Sequence, residues 1–219
     1  MFDTGSLLKV ITSNKGPRSA QVMLGPSEFG GCERRFWYRL HKQPVTNDAT
    51  LSLAAWMGTA IHARIESELH KQDPWGEKYQ IEVEVEQPKL LGIGVRGHVD
   101  LYIPSAKIVV DWKTTTKKNL SKFPTQQQIW QVNLYGMLLN DAGSPVEEVA
   151  LVAIARDGNE KDVAIHQQAY SRETALEALD WAQAIIEDAG IPAPGMPVRF
   201  CRDYCRYYDP SGEIGCEGK

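Results

Sequence analysis

The chain has 219 residues, of which 42% are hydrophobic and 24% are charged. This composition is typical of a globular protein and excludes a disordered chain, a collagen-like repeat and a disulfide-dense miniprotein. The formal net charge of −4 does not by itself indicate a nucleic-acid partner. No stretch approaches the roughly 20 apolar residues that a membrane helix needs, and the N-terminus lacks the pattern of a signal peptide. We therefore expect a cytoplasmic protein with no membrane association.

Positive charge is concentrated in three segments of an otherwise acidic chain. The local net charge is +3 over residues 32–42, +4 over 107–122 and +1 over 199–209. Such clusters can bind a phosphate backbone, although each is equally compatible with an ordinary solvated surface. Other residues in these segments must therefore decide between phosphate binding and an ordinary solvated surface.

The apolar pattern predicts an α/β (mixed α+β) domain with one central sheet flanked by helices. We expect an N-terminal arm over 1–26, a core over 27–190 and a cysteine-rich tail over 191–219. No internal repeat and no phosphate-binding GxxxxGK[ST] loop occurs, so the chain encodes no ATP motor.

The predicted elements follow one another through this core. Ser27 can cap a first helix, and a four-residue apolar repeat indicates a second. Strict alternation in YQIEVEVEQ predicts a strand whose solvated side carries Glu82, Glu84 and Glu86. The predicted order is helix 27–40, helix 47–71, strands within 79–87, 91–104 and 106–116, helix 125–140, strands within 146–156 and 162–170, and a last helix from 171 to 189.

The first set of functional candidates lies on two neighbouring predicted strands. Asp111 and Lys113 in IVVDWKT are two residues apart, so their side chains share one face of a strand. Asp100 in GHVD would meet Asp111 at a sheet edge if the two strands pair. Two carboxylates repel unless a cation lies between them, and Mg²⁺ or Mn²⁺ suits such ligands. Such an ion would activate a phosphoryl group, while Lys113 could position water or offset charge on the phosphorus centre.

Each of these signals also has an ordinary structural explanation. An Asp and a Lys two residues apart are commonly a surface pair on an edge strand. His62 lies one step off the apolar stripe of the second helix, so it is either a core histidine or a metal ligand. Gln131 and Tyr135 are four residues apart and share a helix face, where Tyr135 could stack on a base.

His62, the GHVD segment, the DWK segment and QVNLY together resemble the RecB-like branch of the PD-(D/E)XK nuclease superfamily. Their order, spacing and placement on strands and helices carry the resemblance, which spans residues 27–140. It implies a restriction-endonuclease-like fold with a central mixed sheet. It also implies a metal-dependent DNA exonuclease that acts on single-stranded DNA or duplex ends.

The resemblance implies roles for individual residues. The catalytic Mg²⁺ or Mn²⁺ would be bound by four groups: His62, Asp100, Asp111 and the backbone carbonyl of Trp112. Lys113 would be the catalytic lysine beside the two catalytic aspartates. The DNA-binding residues would be Gln131 and Tyr135, with Gln126, Gln127 and Gln128 competing for the role of Gln131. The basic segment after the DWK strand adds Lys117 and Lys118 as DNA-binding candidates.

The four cysteines are the unusual feature of the composition. Cys32 precedes the predicted catalytic strands, and Cys201, Cys205 and Cys216 follow them. In a reducing compartment, such a set of cysteines favours a metal or cluster site, or buried thiols, over disulfides. The arrangement resembles the iron–sulfur branch of the family, AddB-type nucleases and the RecB-like exonucleases of CRISPR adaptation. It implies a [4Fe–4S] cluster that joins the chain ends, while the C-x3-C-x10-C spacing leaves Zn²⁺ as an alternative.

Three interpretations of function follow. The preferred one is a metal-dependent DNA exonuclease. It would act in recombination, repair or CRISPR-type DNA processing, in a phage or a host. A recombination or CRISPR-adaptation protein is then a possible partner. The second is a catalytically silent, cluster-bearing DNA-binding or scaffold protein, although the complete set of Asp100, Asp111 and Lys113 argues against it. The third is a zinc-stapled endonuclease.

Overall fold

The computed structural model describes residues 23–47 and 53–219. Most of the predicted N-terminal arm therefore lies outside the described residues. Within them, no helix is long and apolar enough to cross a membrane. The elements are, in chain order, α1 (Glu33–Leu40), α2 (Leu53–Gln72), β1 (Gln80–Gln87), β2 (Val95–Ile103), β3 (Ile108–Thr115), α3 (Lys117–Leu120), α4 (Gln126–Asp141), β4 (Glu148–Ala155), β5 (Val163–Ala169), α5 (Arg172–Glu187) and α6 (Val198–Tyr204).

One sheet organises the described part of the chain, and its five strands lie side by side in chain order. Neighbouring strands are antiparallel except β3 and β4, which are parallel. A parallel pair needs a long connection between its strands, and α4 lies in the segment that provides it. The predicted mixed α/β fold with a central sheet and flanking helices is confirmed.

The sheet is apolar around β3. Leu101, Val110 and Ala150, on three successive strands, form one buried cluster, and Leu69 of α2 packs against it. α4 is buried continuously from Gln131 to Leu139. Of the polar side chains of β3, Asp111 is buried against α4, where hydrogen bonds and ion pairs are stronger than in water.

β2 and β3 stop pairing where their acidic residues begin. Their register ends at Leu101 opposite Val110, one residue short of Asp100 and Asp111. The backbone N–H of Trp112 donates instead to Asp100 Oδ2, over 2.8 Å. A buried N–H without a partner is costly, so this carboxylate takes the place of the missing strand partner. The separation of the strands opens the sheet between the two aspartates.

The described residues divide into two compact units. The first unit contains the described parts of 31–59 and 185–219, and all four cysteines lie in it. The second contains 23–30 and 60–184, with the whole sheet and all the predicted catalytic residues.

The predicted helix 27–40 is two separate elements. A single turn of 3-10 helix spans Pro26–Glu28, and α1 begins only at Glu33. Gly30 lies between them with φ of 77°, in the left-handed region that glycine adopts without strain. A Cβ atom there would lie 2.8 Å from the ring of Trp130. The close approach of this ring therefore adds to the requirement for glycine at the break.

The predicted start of the second helix at residue 47 is also wrong. The Asn47 backbone N–H donates to the carbonyl of Arg206 over 3.0 Å, and its Nδ2 donates to the carbonyl of Cys205 over 2.9 Å. Asn47 thus ties the chain to the tail within the first unit. α2 begins at Leu53, and residues 48–52 lie outside the described part of the chain.

Candidate active site

The predicted catalytic side chains meet in one polar cluster of the second unit. Lys113 Nζ lies 2.6 Å from Asp111 Oδ2 and donates to Gln131 Oε1 over 2.8 Å. Gln131 Nε2 donates in turn to Asp111 Oδ1 over 3.0 Å. The three side chains form a closed triangle between β3 and α4. Gln131 is therefore a positioning residue, because its one amide orients both the carboxylate and the ammonium group.

Local sequence signals explain why these side chains converge. Asp111 and Lys113 share a strand face through the two-residue repeat of β3. The start of α4 is fixed by a capping box, in which the Thr125 hydroxyl accepts from the Gln128 N–H and the Gln128 side chain accepts from the Thr125 N–H. This cap fixes where α4 begins, and the buried face of the helix brings Gln131 to Asp111 and Lys113.

His62 and Asp100 form the second part of the cluster. His62 Nδ1 lies 3.5 Å from Asp100 Oδ1. Burial alone would lower the pKa of His62, but the hydrogen bond and the negative charge of Asp100 outweigh it, so the pKa is raised. The Asp100 carboxylate therefore stabilises the protonated form of His62, whereas a metal-ligating histidine must be neutral.

Asp111 is the most buried of the acidic groups, with 2% of its surface exposed. Burial raises the pKa of Asp111 to about 6, the nearby Lys113 opposes this rise and the charge of Asp100 adds to it. The two aspartates are thus close enough to repel each other, as the sequence predicts. A cation between them would relieve both the repulsion and the cost of burying a carboxylate.

The predicted metal ligands are neighbours, but they are not arranged as a ligand set. Among the described residues, no group of three or more His, Cys, Asp or Glu side chains is placed so that it could hold a metal ion. Asp111 is ion-paired with Lys113, and Asp100 with His62. The donor types, two carboxylates and an imidazole, nevertheless suit Mn²⁺ or Mg²⁺. A metal ion would therefore compete with Lys113 and His62 for the two carboxylates.

Tyr135 is not available to stack on a base. It is only 6% exposed, and its hydroxyl lies 3.4 Å from Gln131 Nε2. Its burial raises the pKa of the phenol, so the hydroxyl stays protonated. Tyr135 and Gln131 belong to the buried face of α4, which the sequence analysis did not foresee. Tyr135 thus acts in the structure as a support for Gln131.

The two lysines of the basic segment differ from each other. Lys117 Nζ lies 3.0 Å from Asp162 Oδ2, so its charge is already paired. Lys118 is exposed at the first turn of α3. Lys118 is therefore better placed than Lys117 to bind a phosphate backbone.

The sequence pattern does not indicate the positions of two residues near the site, Glu82 and Arg156. Glu84 and Glu86 are exposed as predicted, but Glu82 has φ of 52° and its Oε1 is buried. The alternation of polar and apolar residues in this segment predicts a regular strand. It gives no sign that the backbone of Glu82 has a positive φ. Arg156 follows β4 and donates to Thr114 Oγ1 over 3.3 Å. Its place becomes visible only when the parallel pairing of β3 and β4 is known.

The four cysteines are free thiols in the first unit. Burial raises the pKa of Cys201 to about 11, and each of the other three cysteines adds to this rise, so the four lie near one another. Among the described residues, three or more of these cysteines are not placed so that they could hold a metal ion, so the predicted four-cysteine cluster is not supported by the structure. The three tail cysteines are packed with aromatic rings in one buried cluster, which consists of Tyr38, Cys201, Cys205, Tyr207 and Cys216.

Known structures share the fold. The crystal structure of SSO0001 is 19% identical, and the match covers 94% of this chain and 95% of that one with a TM-score of 0.63. A candidate exonuclease from Eubacterium rectale is 14% identical over 84% of each chain, with a TM-score of 0.50. An alkaline exonuclease from Laribacter hongkongensis is 10% identical over 77% of this chain and 88% of that one, with a TM-score of 0.49. At such identities the likeness to the first two structures concerns the fold alone.

Sequence comparison identifies the family. No curated protein sequence gives a significant match. The family model of the PD-(D/E)XK nuclease superfamily matches residues 64–209, a range that holds all five strands together with Asp100, Asp111 and Lys113. Because this match covers well over half of the chain and contains the acidic pair and the lysine at the opening of the sheet, the chain belongs to the PD-(D/E)XK nuclease superfamily.

Proposed function

We propose that this chain is a metal-dependent DNA exonuclease. The observation that carries the proposal is the position of Lys113, which is ion-paired with Asp111 and fixed by Gln131 where β2 and β3 separate. Membership of the superfamily supports phosphodiester hydrolysis, and PD-(D/E)XK nucleases generally use Mg²⁺ or Mn²⁺. DNA as the substrate, action at ends and a recombination, repair or CRISPR-type setting come from the resemblance to the RecB-like branch.

The proposed roles follow from the chemistry of each group. His62, Asp100, Asp111 and the carbonyl of Trp112 would hold the ion. When bound, the ion supplies Lewis-acid activation of the phosphoryl group and lowers the pKa of water. Lys113 offsets the negative charge that grows on the phosphoryl oxygens and orients the attacking water. The burial of Asp111 beside Lys113 strengthens this effect, because charges interact more strongly where water is excluded.

Exonuclease action is tested with end-labelled DNA. Linear single-stranded DNA should release labelled mononucleotide with Mn²⁺ or Mg²⁺ from the first time points, while a covalently closed circle of the same sequence should stay intact. A circle that is cut as fast as the linear strand would contradict exonuclease action and indicate an endonuclease. A protein that binds both DNAs but cuts neither would instead support the scaffold interpretation.

We further propose that the four cysteines bind an iron–sulfur cluster, with Zn²⁺ as the alternative. Four thiolates suit either, and a clip from Cys32 to the tail would close a very long loop. Two donors already face the sulfur of Cys216: the Gly218 N–H at 3.4 Å and Arg34 Nη1 at 3.8 Å. Hydrogen bonds to the sulfurs are also found at cysteines that hold iron–sulfur clusters. The thiols must lose their protons and draw together to bind the metal.

Metal analysis of anaerobically purified protein tests this second proposal. We expect stoichiometric iron and sulfide with a broad visible absorbance, and a colourless protein with one Zn²⁺ would support the alternative. Cys201→Ser should lose the metal and lower the melting temperature by about 10 °C, because the clip contributes folding energy. A wild-type protein without metal, as stable as Cys201→Ser, would contradict both versions. Glu213→Gln, an exposed residue of the same tail, serves as the control for a small substitution.

A further inference from the structure

β5 forms one edge of the sheet, because the strands lie in chain order and β5 is the last of them. Within the described ranges, no strand or isolated bridge pairs with its outer side. Two hydrogen bonds fix its pairing with β4. The Ala155 N–H donates to the carbonyl of Asp162 over 3.1 Å, and the Tyr170 N–H donates to the carbonyl of Glu147 over 2.8 Å. Both bonds link positions that the register of β4 and β5 places opposite each other.

The register shows which backbone groups of β5 face outward. In an antiparallel pair, alternate residues bond to a given neighbour, so the residues that bond to β4 are Ala164, His166 and Gln168. The remaining residues direct their N–H and C=O groups away from the sheet, and all of them are exposed: Val163, Ile165, Gln167 and Ala169. A row of such outward-facing groups is a template for pairing with another strand.

The two edges of the sheet differ in how far the sequence guards them. Proteins commonly protect an edge strand with charged residues, proline or a local distortion. At the opposite edge, β1 has exposed Glu84 and Glu86, and Glu82 has a positive φ of 52°. β5, with the sequence VAIHQQA, contains no Lys, Arg, Asp, Glu or Pro. The β5 edge can therefore accept a strand without burying a carboxylate, an ammonium or a guanidinium group.

Exposed apolar side chains accompany the outward-facing groups of β5. Ile165 is 69% exposed and Val163 is 40% exposed. They pair with Val152 and Ile154 of β4, which are half-buried. Paired residues of neighbouring strands lie on the same face, so the four side chains form one apolar strip. A strand added to β5 would cover part of this strip and remove it from water, which favours association.

A second copy of β5 matches this edge in length, charge and hydrogen-bonding pattern. When two copies pair antiparallel over all seven residues, Val163 lies opposite Ala169 and Ile165 lies opposite Gln167. Every outward-facing N–H then meets a carbonyl, which gives about eight hydrogen bonds. His166 lies opposite its own copy, on the two-fold axis. The same surface thus serves both subunits, as a two-fold dimer requires.

We propose that β5 pairs antiparallel with β5 of a second copy of this chain and joins the two five-stranded sheets into one. Asp111 lies opposite Leu151, and Leu151 lies opposite His166, so the proposed catalytic cluster shares a face with His166. The two copies of His166 also share a face, so both catalytic clusters lie on the same face of the joined sheet. This assembly does not depend on the proposed nuclease function.

Analytical ultracentrifugation tests for the dimer. Wild type at about 100 µM should sediment with twice the mass of one chain and dissociate on dilution. Ile165→Lys places two ammonium groups near the axis and should raise the dissociation constant at least about 100-fold. Ile214→Lys adds the same charge at another exposed isoleucine, 59% exposed, and should dimerise like wild type. A monomeric wild type at this concentration would overturn the inference, as would unchanged dimerisation of Ile165→Lys.

Amide hydrogen exchange in the wild-type chain distinguishes strand pairing from any other contact, and it needs no substitution. The outward-facing N–H groups of β5 should be protected at about 100 µM and lose this protection on dilution to the monomer. The N–H groups that bond to β4 should stay protected at both concentrations. A dimer whose outward-facing N–H groups exchange equally fast at both concentrations would form through another surface and contradict pairing through β5.

Discussion

Replacing Lys113 by alanine should lower the rate of DNA hydrolysis by about 10²–10⁴-fold while leaving metal binding intact. Lys113 supplies the positive charge nearest to Asp111, 2.6 Å from its Oδ2, and Gln131 holds it there. The same ammonium competes with a metal ion for that oxygen. The affinity for Mn²⁺ should therefore stay the same or rise in Lys113→Ala, even as turnover is lost.

The measurement is single-turnover cleavage of a labelled oligonucleotide, combined with calorimetric titration of Mn²⁺. Lys161→Ala is a matched control, because it removes an exposed lysine of the β4–β5 connection and should cleave DNA at the wild-type rate. Normal turnover by Lys113→Ala would remove Lys113 from the catalytic machinery. A parallel loss of metal binding and melting temperature would indicate a structural role instead.

Replacing Asp111 by asparagine should abolish both metal binding and turnover. Asparagine has nearly the same shape and can still bond to Gln131, but it brings no charge to the ion. We expect at least about 100-fold weaker Mn²⁺ binding and a loss of hydrolysis as large as that of Lys113→Ala. Lys113→Ala should thus lose turnover but keep metal binding, whereas Asp111→Asn should lose both.

Asp141→Asn is the control for this substitution, because Asp141 pairs with Arg172 on the exposed end of α4. It should leave Mn²⁺ binding and cleavage at wild-type levels. Titration of Mn²⁺ should be followed by calorimetry and by the shift in melting temperature, which do not depend on turnover. Wild-type metal affinity in Asp111→Asn would place the ion elsewhere and contradict the assignment.

Short-range sequence patterns were sufficient to predict the frame of the site. The two-residue repeat of a strand predicted that Asp111 and Lys113 share one strand face. The four-residue spacing predicted that Gln131 and Tyr135 share one helix face. Both predictions depend only on the geometry of a single strand or helix. The match of β1 to β5 with the predicted strands rests on the same local signals.

Features that depend on tertiary packing were not predictable in this way. Tyr135 is buried because α4 packs on the sheet, and no spacing within the helix reveals which face is covered. Arg156 comes beside Thr114 only through parallel pairing of strands that are about 40 residues apart in sequence. Glu82 departs from its neighbours through one backbone angle. In each case a long-range contact or a local reversal overrides the local pattern.

We propose that the polar cluster between β2, β3 and α4 hydrolyses DNA with the help of a divalent metal. The most direct test is release of nucleotides from linear single-stranded DNA by the wild-type chain, in Mn²⁺ and in EDTA, beside Asp111→Asn. We predict steady release in Mn²⁺ by wild type alone, and none in EDTA or by the variant. Release that persists in EDTA or in Asp111→Asn, or no release by wild type in Mn²⁺, would contradict the claim.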